Sequence, residues 1–200
     1  MSKGWLLVAA VAGALFLTLC DQLFHVRTET LVYHWHPQVA DQTIIVPLTF
    51  LLATVSMLDI SRRTHVQHPR STSTFGMLVS LGLVTGAYLV SGFVDQGIAP
   101  AYALLLLVAW GVRVFRRGEP GAVIAASLLI AAGGVLGELA LSAIGEFSYV
   151  QPDVLGVPWW LYPLYLHGAL AARDIAAAVG DSSDEHLERT ASPRTTHPLG

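Results

Sequence analysis

Six apolar stretches, each close to the length of a bilayer crossing, take up most of this chain and leave almost nothing for a soluble domain. They run over residues 4–24, 43–60, 74–94, 98–115, 122–144 and 157–172, against the ~20 apolar residues a helix needs to span a ~30 Å hydrocarbon core. Hydrocarbon offers no hydrogen-bond partner to a peptide group, so segments of this length fold as helices. The expected fold class is therefore all-α: a polytopic membrane protein built as a six-transmembrane-helix bundle. With the N-terminus inside, Lys3, Arg62, Arg63, Arg70, Arg113, Arg116, Arg117, Arg173, Arg189 and Arg194 fall on one side and Arg27 alone on the other. That is the positive-inside bias, and it puts both the N- and C-termini in the cytoplasm.

Composition fits a single transmembrane domain over residues 1–176, since 54% of the 200 residues are hydrophobic and only 12% charged. Residues 177–200 turn to Ser, Thr, Pro and charge without periodicity, and read as a disordered cytoplasmic tail. No basic face suggests a nucleic-acid partner. One cysteine, Cys20, excludes an intrachain disulfide and a Cys-based zinc site. The absence of Asn, the single Lys and the wealth of Ala, Gly, Val and Leu suggest a GC-rich coding sequence and a bacterial plasma membrane. The first stretch is longer than a signal's apolar region, and Leu19 stands where a lipoprotein cleavage box wants a small residue. It reads as a transmembrane helix.

Between the spans, the outer loop 25–42 carries His34 and His36 around Trp35, with His25 nearby. An interfacial belt with Tyr33 and Trp35 at headgroup level accounts for it better than a metal site, and no metal ligands are assigned. The inner loop 61–73, with Arg62, Arg63, His65, His68 and Arg70, faces the anionic leaflet. Gly82 with Gly86, and Gly133 with Gly137, are each four apart, which predicts close packing of the third and fifth helices. Pro158 and Pro163 predict a kink in the sixth, whose outer half carries Trp159, Trp160, Tyr162 and Tyr165. Asp21, Asp59 and Asp95 mark span ends, and Arg113 is placed to reach the headgroups.

Glu138 is the most costly polar residue, about 10 Å below the outer end of its span at 1.5 Å per residue. A lipid-facing carboxylate there costs on the order of 2–3 kcal/mol, so Glu138 is expected to face inward. His167 lies ~15 Å into the sixth span, roughly one turn from Glu138 in depth, and each is expected to find its own backbone or water partner. No nucleophile elbow, phosphate loop, H-E-x-x-H or close carboxylate pair is present, and no catalytic residue is assigned. Isolated polar groups among Leu, Val, Ala and Gly, with Tyr88 and Trp110 inside the spans, suit a cavity for a mostly apolar ligand.

The run Pro152, Asp153, Val154, Leu155, Gly156, Val157, Pro158, Trp159, Trp160, Leu161 resembles the Insig (insulin-induced gene) family, whose last loop reads Pro-Asp-Phe-Leu-Tyr-Val before a Trp-Leu pair. The match continues through Gly168 to Ile175. Ile44, Ile45, Val46 and Pro47 are similar to the family's Trp-Trp-Val-Pro, and Val94 and Asp95 to its Val-Asp. Loop order and span lengths agree over about Leu15 to Ile175. This resemblance implies six helices, cytosolic termini and sterol sensing, with partners such as Scap and hydroxymethylglutaryl-CoA reductase in eukaryotic members. Arg116 replaces the family's acidic residue after the fourth helix, which argues against a Scap-type partner. The family's Gln in the fifth helix falls within one residue of Glu138.

The expected function is a lipid-binding or lipid-sensing membrane protein holding a sterol-like lipid or a weakly charged glycerolipid. Tyr88, Trp110 and Glu138, then Gln96 and His167, are the candidate ligand-binding residues. No cofactor is expected beyond a bound lipid. Expected partners are membrane lipid and either a membrane protein or further copies of the chain. The competing readings are a lipid-modifying enzyme using Glu138 and His167 as acid and base, and a small transporter.

Overall fold

The computed structural model describes residues 3–67, 73–117 and 120–191. Its helices are α1 (Lys3–Asp21), α2 (Val46–Gln67), α3 (Thr74–Ser91), α4 (Ala99–Phe115), α5 (Pro120–Ala143) and α6 (Leu161–Ala191). By length and apolarity alone, α1 with the turn that follows it, α3 and α5 can each cross a membrane, and α4 is a shorter apolar helix. The expected six-helix membrane bundle is what the chain forms.

Its axis is α6, which packs against α2, α3, α4 and α5, while α1 lies along α2. Small residues allow this: Ala169, Ala171, Ala172, Ala176 and Ala177 are all buried, with Leu161, Leu164, Leu166 and Leu170 between them. The surrounding helices turn Leu48, Leu52, Leu104, Leu105, Leu129 and Leu136 outward, each more than half exposed. In water such a surface would be a liability; in a bilayer it meets its own solvent. The α2 extension beyond the apolar core carries Asp59, which pairs with Arg62 at 3.2 Å and Arg63 at 2.7 Å on an exposed face.

Several expectations need correction. Pro158 precedes α6 and Pro163 sits in its first turn, where a missing N–H leaves no helical bond unmade, so neither interrupts the helix. α6 also runs on to Ala191, into the segment expected to be disordered from residue 177; no proline lies between Ala176 and Ala191, and Leu187, Glu188 and Arg189 are good helix formers. Residues 192–200 lie outside the described residues, as do 68–72 of the inner loop, including His68 and Arg70. The paired glycines do not join α3 to α5. A Cβ at Gly82, Gly86, Gly133 or Gly137 would meet nothing within 4 Å, and both helices pack on α6 instead. Close approach occurs at Gly13, Gly92 and Gly134, where a Cβ would press on Thr54, the Phe24 carbonyl and the Tyr165 ring respectively.

On the outer side the chain builds a small cap. A π-helical turn, Gln22–Val26, continues α1 into β1 (Leu31–Tyr33), which pairs antiparallel with β4 (Phe147–Tyr149), Leu31 opposite Tyr149 and Tyr33 opposite Phe147. β2 (Gln38–Val39) and β3 (Gln42–Thr43) form a second short pair. Strand alternation turns Leu31, Tyr33, Phe147 and Tyr149 down onto the bundle.

Where α5 turns into β4, Glu146 is 1% exposed and its Oε2 has no hydrogen-bond partner among the described residues. Burial raises its carboxyl above the ordinary range. The folded state therefore binds this proton more tightly than the unfolded chain, so its contribution is fully favourable below the unfolded value of about 4.3 and is lost as pH rises through the folded one. Glu146→Gln should match the parent in thermal unfolding at acidic pH and become progressively more stable than it towards neutrality. A difference independent of pH would contradict this.

Candidate functional site

Among the described residues, three polar clusters lie inside the bundle. The outermost begins with Asp21 and His25, four residues apart across the π-helical turn. Asp21 Oδ2 accepts hydrogen bonds from Tyr33 Oη and Gln42 Nε2, both at 2.8 Å, while Oδ1 faces His25 Nδ1 at 3.3 Å. His25 Nε2 lies 3.0 Å from Ser91 Oγ, and its ring sits between Tyr88 and Trp160 with centroids 5.0 and 5.2 Å away. Asp21 is thus no mere helix-end marker. The Asp–His–Ser connectivity is that of a hydrolase triad, but Ser91 is 0% and His25 2% exposed, and Ser91 Oγ also donates to the Tyr88 carbonyl at 2.8 Å. No substrate carbonyl reaches such a serine, and the cluster fastens α1, α3 and the cap together.

At the inner end, α3, α4 and α6 share a second cluster. Arg117 donates to both Asp174 oxygens, at 2.5 and 2.6 Å, and Ser80 donates to Asp174 Oδ2. Arg113 donates to Ser80 Oγ at 2.5 Å and lies 3.0 Å from His167 Nδ1. Because Arg can only donate, Nδ1 is the accepting nitrogen and Nε2–H donates to the Leu106 carbonyl at 2.8 Å. Arg113 therefore does not extend to the headgroups. It holds His167 in one tautomer.

The third cluster is the one that opens onto space. Glu138 accepts from Tyr165 Oη at 2.9 Å and from Tyr149 Oη at 3.1 Å, one carboxylate oxygen each. It stands at the wall of a cavity of about 440 Å³ between α2 and α5, otherwise lined by apolar and small residues such as Phe50, Met57, Ile130, Gly133 and Gly137. The glycine face of α5 makes room here. A void of about 40 Å³ lies behind Phe50, Met57 and Tyr165, reaching Val84 and Tyr88. A wide apolar groove of about 920 Å³ between α4, α5 and the outer end of α6 has no charged residue in its wall.

Of the sequence candidates, Glu138 lines the α2–α5 cavity and Tyr88 the small void beside it. The other three lie elsewhere. Gln96 is exposed and ties two outer loops, its N–H donating to Gln151 Oε1 at 3.0 Å and its Nε2 to the Pro152 carbonyl at 3.1 Å. Trp110 packs on Val114, Val123 and Leu170 with Nε1 buried and without a partner among the described residues. His167, held by Arg113 and Leu106, does not meet Glu138, so the acid–base pair of the enzyme reading is not assembled. Sequence reasoning missed Tyr149 and Tyr165 as partners of Glu138. It also missed Asp174, which follows Arg173 at the end of an apolar run where a boundary charge looks ordinary.

Among the described residues, no group of three or more His, Cys, Asp and Glu side chains is placed to hold a metal ion. His34 instead lies 2.9 Å from Ser148 Oγ on the neighbouring strand.

No family model matches the chain, and no curated protein matches it either. Two solved structures do. One is a mycobacterial Insig homolog, MvINS from Mycobacterium vanbaalenii, with a TM-score of 0.74 and 24% identity over 90% of this chain and 96% of that one. The other is a cross-linked cysteine variant of MvINS solved as a trimer, with the same TM-score, identity and coverage. The chain has the fold of that Insig homolog.

Proposed function

We propose that this protein binds and senses an apolar membrane lipid, sterol-like or a weakly charged glycerolipid, in the cavity between α2 and α5. The observation that carries this reading is a carboxylate fixed by two tyrosine hydroxyls at the wall of an apolar, membrane-embedded cavity of about 440 Å³. That size lies within the ~300–1,000 Å³ of small-molecule sites, which pair apolar walls with a few placed polar groups. With one donor on each oxygen, Glu138 keeps lone pairs for a ligand hydroxyl. The Insig-homolog fold supports sensing, because Tyr149 belongs to β4 and so links the polar end of the cavity to the outer cap. A plasma-membrane location follows from the bacterial composition, and a homo-oligomer is supported by the trimeric form of the structural neighbour.

Mass spectrometry of lipid retained through purification tests the proposal. The parent protein should carry one class of apolar lipid, sterol-like or weakly charged glycerolipid. Glu138→Gln should lose about tenfold or more in affinity for it, since a hydrogen bond to a charged group contributes ~1.5–3 kcal/mol. A cavity that arrives empty and resists loading would sink the reading.

A further inference from the structure

We propose that Asp21 and His25 form a proton-operated latch: His25 carries a proton on each ring nitrogen, pairs with the Asp21 carboxylate, and releases the outer cap when the second proton leaves. This goes beyond the proposed function and does not depend on it. The hydrogen bonds assign the protons. α3 ends at Ser91, and the Gly92 N–H, which would continue the helix onto the Tyr88 carbonyl, turns to the Val90 carbonyl instead. Ser91 Oγ donates to the Tyr88 carbonyl in its place, at 2.8 Å. A hydroxyl has one proton to give, so His25 Nε2, 3.0 Å from that oxygen, is the donor between them. Nδ1 then faces Asp21 Oδ1 at 3.3 Å, where two lone pairs would repel unless a proton lay between them. Asp21 Oδ2 accepts from Tyr33 and Gln42, both at 2.8 Å, as an ionised carboxylate does. The proton between the two residues therefore belongs to Nδ1, and the pair is imidazolium and carboxylate.

The surroundings suit a cation. The buried ring lies between Tyr88 and Trp160, and aromatic faces at centroid distances of 5.0 and 5.2 Å attract positive charge. His25 also occupies the last turn of the π-helical segment, where a cation offsets the free carbonyls. The groups around the pair are Asp21 and the neighbouring Cys20 on α1, Tyr33 on β1, Gln42 on β3, and Tyr88 and Ser91 on α3. Glu138, within electrostatic reach of Asp21, holds the hydroxyls of Tyr149 and Tyr165. A buried carboxylate that loses its counter-charge is costly, and here the cost falls on the cap. Tyr33 of β1 and Gln42 of β3 hang on Asp21, while Tyr149 of β4 rests edge-on against Trp160, the ring that covers His25. Once Nδ1 gives up its proton, Asp21 Oδ1 faces a lone pair. Relief comes from drawing the end of α1 and the strands away from α3.

The test is nitrogen NMR of the full-length protein in nanodiscs, labelled in the histidine rings, with His34, His36, His65, His68, His186 and His197 replaced by Gln so that only His25 and His167 report. At about pH 6, His25 should show a proton on both ring nitrogens. His167 in the same sample should show one, because its Nδ1 accepts from Arg113. Raising the pH to about 9 should remove the second His25 proton. Over the same pH interval, amide exchange in β1 and β4 should quicken about tenfold or more relative to α5. His25→Gln, which keeps a donor for Ser91 but carries no charge, should show the quickened cap at every pH; if that variant fails to fold, the titration of the parent ring decides alone. A single ring proton on His25 at about pH 6 would overturn the proposal. So would a cap whose exchange, measured against α5, stays unchanged when the proton leaves.

Discussion

Asp174→Asn should destabilise the protein by about 3–5 kcal/mol, the range for removing one member of a buried ion pair. Asp174 is 2% exposed, and its carboxylate receives Arg117 through both guanidinium nitrogens, Ser80, and Arg113 at 3.9 Å. Asn keeps the shape and one acceptor but removes the charge, so two guanidinium groups, each less than a fifth exposed, are left facing one another. The cost arises from those stranded cations. Adding Arg117→Met to Asp174→Asn should therefore recover part of the loss, a coupling that a purely steric effect would not give. Thermal unfolding in detergent across the double-mutant cycle measures it, and a single-variant loss below about 1 kcal/mol would refute the account.

That pair also shows how far the sequence could be read. The arginine bias assigns a cytoplasmic side, because topology depends on how many basic residues lie near each end. It could not assign their partners. Arg113, Arg116 and Arg117 look alike in a charge count, yet Arg113 turns inward to His167 and Arg117 to Asp174. Helix number and order were legible because each span is a long apolar run. The packing was not, since Gly133 and Gly134 are indistinguishable in a spacing rule while one faces open space and the other a tyrosine ring. Glu138 stood out because a carboxylate deep in a span demands a reason. Its partners Tyr149 and Tyr165 come from a strand and a different helix, and only tertiary structure brings them together.

Gly134→Ala should cost about 1–3 kcal/mol, the usual range for overpacking, and should also empty the lipid site. A Cβ at Gly134 would drive into the Tyr165 ring. The ring cannot simply turn aside, because its hydroxyl is held by Glu138 at 2.9 Å and its other face closes the inner void with Phe50 and Met57. Relief requires Tyr165 to move off Glu138, which removes one of the two donors that fix the carboxylate. The control is Gly86→Ala on α3, where a Cβ meets nothing within 4 Å and helix propensity alone favours alanine by up to ~1 kcal/mol. Unfolding temperature and retained lipid should therefore fall together in Gly134→Ala, while Gly86→Ala leaves lipid unchanged. Tyr165→Phe separates the two effects: it deletes the hydroxyl without adding volume. If it loses lipid while Gly134→Ala does not, the ring has found another way out and the steric link from α5 to the carboxylate is wrong.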